Sequence, residues 1–170
     1  MTWSVPAIDG MPAVEAGELL AACCGSSRWV SAMLERRPFG RRDALLAAAG
    51  EVWRSLDPED WKEAFAHHPR IGERSGARPQ GRLGEAWSAR EQSGMDSAAE
   101  ETSRALAEVN RAYEARFGYL YIVCATGRTA EEMLALARGR LANDPGAELA
   151  VAAREQERIT RLRLEKLLEP

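Results

Sequence analysis

Among the 170 residues of this chain, only the stretch from Tyr119 to Ala125, YLYIVCA, combines the aromatic and β-branched character of a strand. No second stretch could pair with it. A lone strand would leave its backbone donors and acceptors without a ladder, so a sheet is excluded. The stretch is expected to be a buried extended or irregularly helical segment near residues 119–125. The rest of the chain reads as an all-α, single-domain bundle of about eight helices.

The helical reading rests on periodicity and punctuation. After an extended start, Pro12 suits a first helical position, and the helix from Ala13 to Cys24 stops at Gly25. Ser26 can cap a helix carrying Trp29, Val30 and Met33, which ends before Pro38. Leu45, Leu46, Ala49, Val52, Trp53 and Leu56 recur at steps of three and four over a third helix from about Arg41 to Ser55. Asp57 and Pro58 open a short fourth. From Pro69 to about Arg82, Gly, Pro, Ser, Arg and Gln predict a loop, long enough to be of functional interest.

Helix is expected again from about Leu83 to Gln92, ending at Gly94. Asp96 is placed to cap a longer one with Leu106, Val109, Tyr113 and Phe117 inward and Gly118 at its end. Thr129 and Glu132 have capping-box spacing for a helix to about Leu141. Asp144 and Pro145 open the last helix, whose predicted inward stripe is Leu149, Ala152, Ile159, Leu162 and Leu167.

A domain of this length buries roughly 70% of its unfolded surface, so a core needs no staples. No apolar run approaches the roughly 18 residues of a membrane span. The N-terminus has no basic segment followed by an apolar one, and Cys23, Cys24 and Cys124 make a poor disulfide framework. Both features lead to the expectation of a cytoplasmic protein. Of its 23 basic residues only Lys62 and Lys166 are lysine, yet the net charge is -3. The arginines are interspersed with glutamates, which argues against a nucleic-acid face and favours a small anionic ligand.

Both histidines lie in the run HHPRIGE, His67 to Glu73. Pro69 disfavours helix at His68 and so holds the histidine at a helix end. Trp61 and Phe65 are four apart, and three further along that face is His68, while His67 falls off it. His68 should face the interior or a pocket, either as a capped, half-buried residue or as a group exchanging protons near neutrality. A second stretch, WSAREQSG from Trp87 to Gly94, puts Ser88, Glu91 and Gln92 on one helix face. That trio could bind a polar heterocycle or ureido group, or form a solvated face.

Metal binding is not expected. Adjacent His67 and His68 do not converge on one ion, there is no HExxH, and no cysteine pair has ligand spacing. A Cys124 nucleophile with His68 as base is conceivable, but the apolar setting of Cys124 favours an inert buried thiol.

The motifs HPRIGE at His68, WSxxEQxG at Trp87, LAxVNxAY at Leu106 and FGYLYIVCATGRT at Phe117 together resemble the OHCU decarboxylase family of urate degradation. RWV at Arg28, RPF at Arg37 and RLAND at Arg140 agree in order and spacing. The resemblance spans about residues 10 to 168. It implies an all-helical, cofactor-free enzyme, usually a homodimer. Its substrate would be 2-oxo-4-hydroxy-4-carboxy-5-ureidoimidazoline, its products carbon dioxide and (S)-allantoin.

Carried over by motif, the catalytic histidine falls on His68. Substrate contacts fall on Pro69, on Ser88, Ala89, Arg90, Glu91 and Gln92, and on the backbone of Tyr121, Ile122, Val123, Cys124 and Ala125. On this reading His68 donates a proton, Glu91 orients it and balances the proton, and amides of Tyr121 to Ala125 bind ring oxygens. Arg70, Arg128 and Arg140 are the candidates for holding the substrate carboxylate. One departure is Leu120, where family members commonly have proline, which bears on the backbone path there. A helical interaction module that has lost activity and a Cys124-dependent hydrolase are the competing readings.

Overall fold

The computed structural model of the protein describes residues 1–71 and 100–168. Among these residues there are eight helices and no strand, so the fold is all-α. The helices are α1 (Val5–Gly10), α2 (Ala13–Cys23), α3 (Ser27–Glu35), α4 (Arg42–Ser55), α5 (Pro58–Ala66), α6 (Glu100–Phe117), α7 (Ala130–Arg140) and α8 (Pro145–Leu167). No helix among the described residues is long and apolar enough to cross a membrane. The helix expected over Leu83–Gln92 and the cap at Asp96 lie outside the described residues.

The start of the chain is helical rather than extended. Ser4 caps α1 by accepting from the Ala7 amide at 3.3 Å, and a proline occupies its first turn. Six residues are too few to display a hydrophobic period, which is why the sequence pattern passes over α1.

The chain divides into two compact units, Met1–Ala64 with Glu157–Pro170, and Phe65–Gln156. The core of the first contains Ile8, Leu20, Trp29, Met33, Leu45, Trp53 and Leu164, all fully buried. Side chains at its polar edges hydrogen-bond to backbone groups. The Ser26 hydroxyl accepts from the Trp29 amide at 3.2 Å as the expected cap of α3, and the Trp29 indole donates to the Ala49 carbonyl at 3.1 Å. Arg37 donates to the Ile8 and Met11 carbonyls, while Asp9 accepts from the amides of Phe39 and Gly40. The RPF motif thus fastens the α3–α4 connection onto α1.

In the second unit α6 turns Leu106, Asn110 and Tyr113 inward, at steps of four and three, and leaves Val109 and Phe117 half-buried. Gly118, at φ +81°, ends the helix with its amide donating to the Glu114 carbonyl. Tyr113 lies at the centre of an aromatic cluster, with ring centroids 4.6 Å from Phe117, 5.3 Å from Tyr121 and 5.8 Å from Tyr119. Thr129 and Glu132 form the expected capping box of α7. The Asp144 carboxylate accepts from the amides of Gly146 and Ala147 at the start of α8.

The last helix corrects the predicted stripe. Ala152, Ile159 and Leu167 are buried as expected, but Leu149 and Leu162 are only half-buried. The buried face also takes in Glu148, Glu155, Gln156, Thr160 and Arg163. A hydrophobic period cannot reveal a face whose inward positions are partly polar.

Candidate active site

Helix α5 ends at Ala66, and the His68 amide closes a further turn by donating to the Phe65 carbonyl at 3.1 Å. Phe65 is fully buried, His68 is 9% exposed and His67 is half-buried, in the order the helix face predicts. The His68 ring is held at its far nitrogen, with Nε2 2.7 Å from Oε1 of the fully buried Gln156. An amide oxygen only accepts, so this contact requires the proton on Nε2.

The chain leaving His68 is pinned twice to α6. The Arg70 guanidinium pairs bidentately with Glu114, at 3.1 and 2.9 Å, and Asn110 Nδ2 donates to the Ile71 carbonyl. A forked pair fixes orientation as well as distance, although this one is more than a third exposed on both sides and so adds little stability. Pro69 is half-buried between these anchors and His68.

Tyr121, Ile122, Val123 and Cys124 are buried, and Ala125 is half-buried. The segment is neither helix nor strand, one of the two alternatives the sequence leaves open, so its backbone is satisfied by side chains. Arg140 Nη1 donates to the Ile122 carbonyl at 2.6 Å, and the Cys124 amide donates to Glu155 Oε2 at 2.7 Å. The Tyr121 hydroxyl in turn donates to the Met133 carbonyl at 3.2 Å. Arg128 Nη1 lies 3.2 Å from the same Glu155 oxygen. Of the amides expected to meet a ligand, that of Cys124 is therefore already engaged.

Glu155 and Gln156 are consecutive on α8. One holds the Cys124 backbone and the other the His68 ring, so a single turn of helix brings together two stretches that the sequence reading named separately. Neither residue stands out in the sequence. The available signal was a polar pair in phase with Ala152 and Ile159.

Beneath the segment lies a buried polar network. Glu148 accepts from Tyr113 Oη at 2.5 Å, from Arg140 Nε at 2.7 Å and from Asn143 Nδ2 at 2.9 Å. Burial, reinforced by the bond to Glu148, pushes the Tyr113 hydroxyl far above its usual titration range. It remains a neutral donor. Burial also pushes Tyr121 up to about 12. For Arg140 burial acts downward, but the Glu148 bond and the neighbouring tyrosines outweigh it, and its pKa is raised. Its guanidinium also lies 4.8 Å from the centroid of the Tyr121 ring. Of the three arginines considered for a substrate carboxylate, Arg140 is thus committed to the interior and Arg70 to Glu114. Arg128, 28% exposed in its side chain, contacts Glu155 through one nitrogen.

Ser88, Ala89, Arg90, Glu91 and Gln92 lie outside the described residues. Among the described residues no group of three or more His, Cys, Asp or Glu is placed to hold a metal ion.

A family model for OHCU decarboxylase matches residues 9–165. The uric acid degradation bifunctional protein TTL of Arabidopsis thaliana is 37% identical over 149 residues, 85% of this chain and 45% of that protein. The chain therefore spans less than half of that relative. The 2-oxo-4-hydroxy-4-carboxy-5-ureidoimidazoline decarboxylase of Amia calva is 29% identical over 142 residues, 82% of this chain and 79% of that one. A crystal structure of OHCU decarboxylase in the presence of (S)-allantoin superposes with a TM-score of 0.76 at 34% identity, covering 88% of this chain and 96% of that one. A structure of (S)-allantoin synthase, at 18% identity and TM-score 0.72, shares the fold. With the His68 run, the segment at 119–125 and the RLAND network all within the matched span, the chain belongs to the OHCU decarboxylase family.

Proposed function

We propose that this protein decarboxylates 2-oxo-4-hydroxy-4-carboxy-5-ureidoimidazoline to (S)-allantoin and carbon dioxide in urate degradation, without a cofactor. The observation that carries the reading is the buried His68 ring, its Nε2 held at 2.7 Å by Gln156, beside a Glu155 that ties down Cys124. Loss of carbon dioxide leaves an electron pair on a ring carbon, which the adjacent C=N and carbonyl delocalise. The protein has to hold the ring and deliver one proton to one face. His68 takes the role of proton donor, and Glu91 that of its partner in orientation and proton balance.

The deciding experiment is turnover of freshly generated substrate with the product's optical activity as readout. Spontaneous decay gives racemic allantoin, so an enzymatic (S) excess supports the reading and a racemic product at the uncatalysed rate refutes it. The family likeness extends the proposal to a homodimer, tested by sedimentation equilibrium. Cys23, Cys24 and Cys124 are buried thiols rather than disulfides, which supports a reducing, cytoplasmic setting.

A further inference from the structure

We infer that Gln156 is a positioning residue for His68, fixing the neutral ring as the Nε2–H tautomer so that Nδ1 is the nitrogen that carries the exchangeable proton. The inference rests on the decarboxylase reading for its chemical consequence, but its structural content stands on its own geometry. His68 Nε2 and Gln156 Oε1 are 2.7 Å apart, both residues are buried, and they are 88 positions apart in sequence. A carboxamide oxygen has lone pairs and no proton, so a 2.7 Å approach to the neutral ring is attractive only with hydrogen on Nε2. In a buried site the alternative tautomer would set two lone pairs against each other and leave the amide oxygen without this donor.

The supporting turn is itself braced. Glu155, the neighbour of Gln156, accepts from the Cys124 amide at 2.7 Å and from Arg128 at 3.2 Å. The 119–125 segment and the His68 ring thereby take their positions from the same turn of α8, which gives Gln156 a defined starting point rather than a freely rotating one.

In the proposed reaction the C–CO2 bond breaks and its electrons remain on the ring carbon. The Nδ1–H bond of the His68 imidazolium then breaks in favour of a new C–H bond, leaving neutral His68 as the Nε2–H form. One proton, ultimately drawn from solvent, returns to Nδ1, so the net change is uptake of one proton and release of one carbon dioxide. Gln156 stays bonded to Nε2 throughout and touches no reacting atom.

The test uses the full chain labelled with 15N-histidine. It has only two histidines, so a His67→Asn spectrum assigns His68 at once. Two-bond 1H–15N correlation of the neutral ring is expected to show a protonated Nε2 and a bare Nδ1. Gln156→Met, which keeps length and removes the acceptor, should give a tautomer mixture. It should also lower kcat by roughly 10-fold to 100-fold, the range found for the partners that orient metal-bound histidines, with KM changed far less. Gln156→Glu, which keeps an acceptor oxygen, should restore the single tautomer. A bare Nε2 in the unsubstituted chain overturns the inference even if every variant misfolds, and so does a Gln156→Met spectrum identical to wild type. A single Nε2–H tautomer in a chain without turnover would refute the functional reading while upholding the hydrogen-bond assignment.

Discussion

Arg140 and Glu148 meet as a buried ion pair: Nε lies 2.7 Å from Oε1, and the two side chains are 9% and 0% exposed. The pair joins the end of α7 to the start of α8, and through Arg140 Nη1 it reaches the Ile122 carbonyl. Taking two charges out of water is costly, so such a pair stabilises only while both partners and their hydrogen bonds are present.

Arg140→Met is therefore expected to cost about 3–5 kcal/mol in urea unfolding, because it leaves the Glu148 carboxylate buried without its cation. Arg140→Met combined with Glu148→Leu should cost clearly less than the sum of the single changes. A loss below about 1 kcal/mol for Arg140→Met would show that the interior supplies another counter-charge.

All three tyrosines of the chain, Tyr113, Tyr119 and Tyr121, are buried and have raised pKa values, chiefly through burial, with Tyr121 pushed up to about 12. An unfolded tyrosine ionises near 10, so above that pH the unfolded chain binds fewer protons than the folded one. Stability must fall as pH rises from about 10 toward 12, by up to about 1.4 kcal/mol per pH unit for each tyrosine involved. Tyrosinate absorbance should appear together with loss of helical circular dichroism. Tyrosinate forming near pH 10 in a fully helical protein would contradict this.

The two histidines give an internal control, since they share composition and local backbone but not burial. His68→Asn is expected to lower turnover by roughly 100-fold to 10,000-fold and to yield near-racemic allantoin. His67→Asn should stay close to wild type and keep the (S) product. A retained (S) excess in the His68 variant would remove His68 from the reaction. In the same assay Glu91→Gln should fold normally and lose most activity; near-wild-type turnover would leave Glu91 no proton to move.

Cys124 contributes its amide to Glu155, a contact that serine can make equally well. Cys124→Ser should fold and turn over substrate, and exhaustive chelation should leave the rate unchanged. A folded but inactive serine variant would restore the hydrolase reading. Inactivation by chelator, reversed by added metal, would require an ion in the mechanism.

Much of the architecture could be read from local chemistry. Ser26, Asp144 and the Thr129–Glu132 box sit at helix starts because their side chains satisfy amides a few residues away, a relation contained within a short window of sequence. The same holds for His68, whose burial follows from its spacing to Phe65. The partners of these groups were hidden for the opposite reason. Gln156 is 88 residues from His68 and Glu155 is 31 from Cys124. A polar residue on an otherwise apolar face looks like an interruption until the fold supplies its counterpart. Helix α1 escaped detection through shortness alone. The face carrying Ser88, Glu91 and Gln92 lies outside the described residues, so that reading stands where the sequence left it.

Around Ile122 to Cys124, two contacts that shape the 119–125 segment fall on its backbone: the carbonyl of Ile122 and the amide of Cys124 are gripped by Arg140 and Glu155. Every residue type except proline offers the same two atoms. The side chains of Ile122, Val123 and Cys124 can therefore be exchanged for others of similar volume, tuning shape and polarity there, provided the distant grips persist. Pressure to stay unchanged should fall instead on two charged positions in the helices that follow. On the proposed reading of this segment as a substrate wall, recoding it for a differently shaped substrate would begin at Ile122, Val123 and Cys124, with Arg140 and Glu155 left untouched.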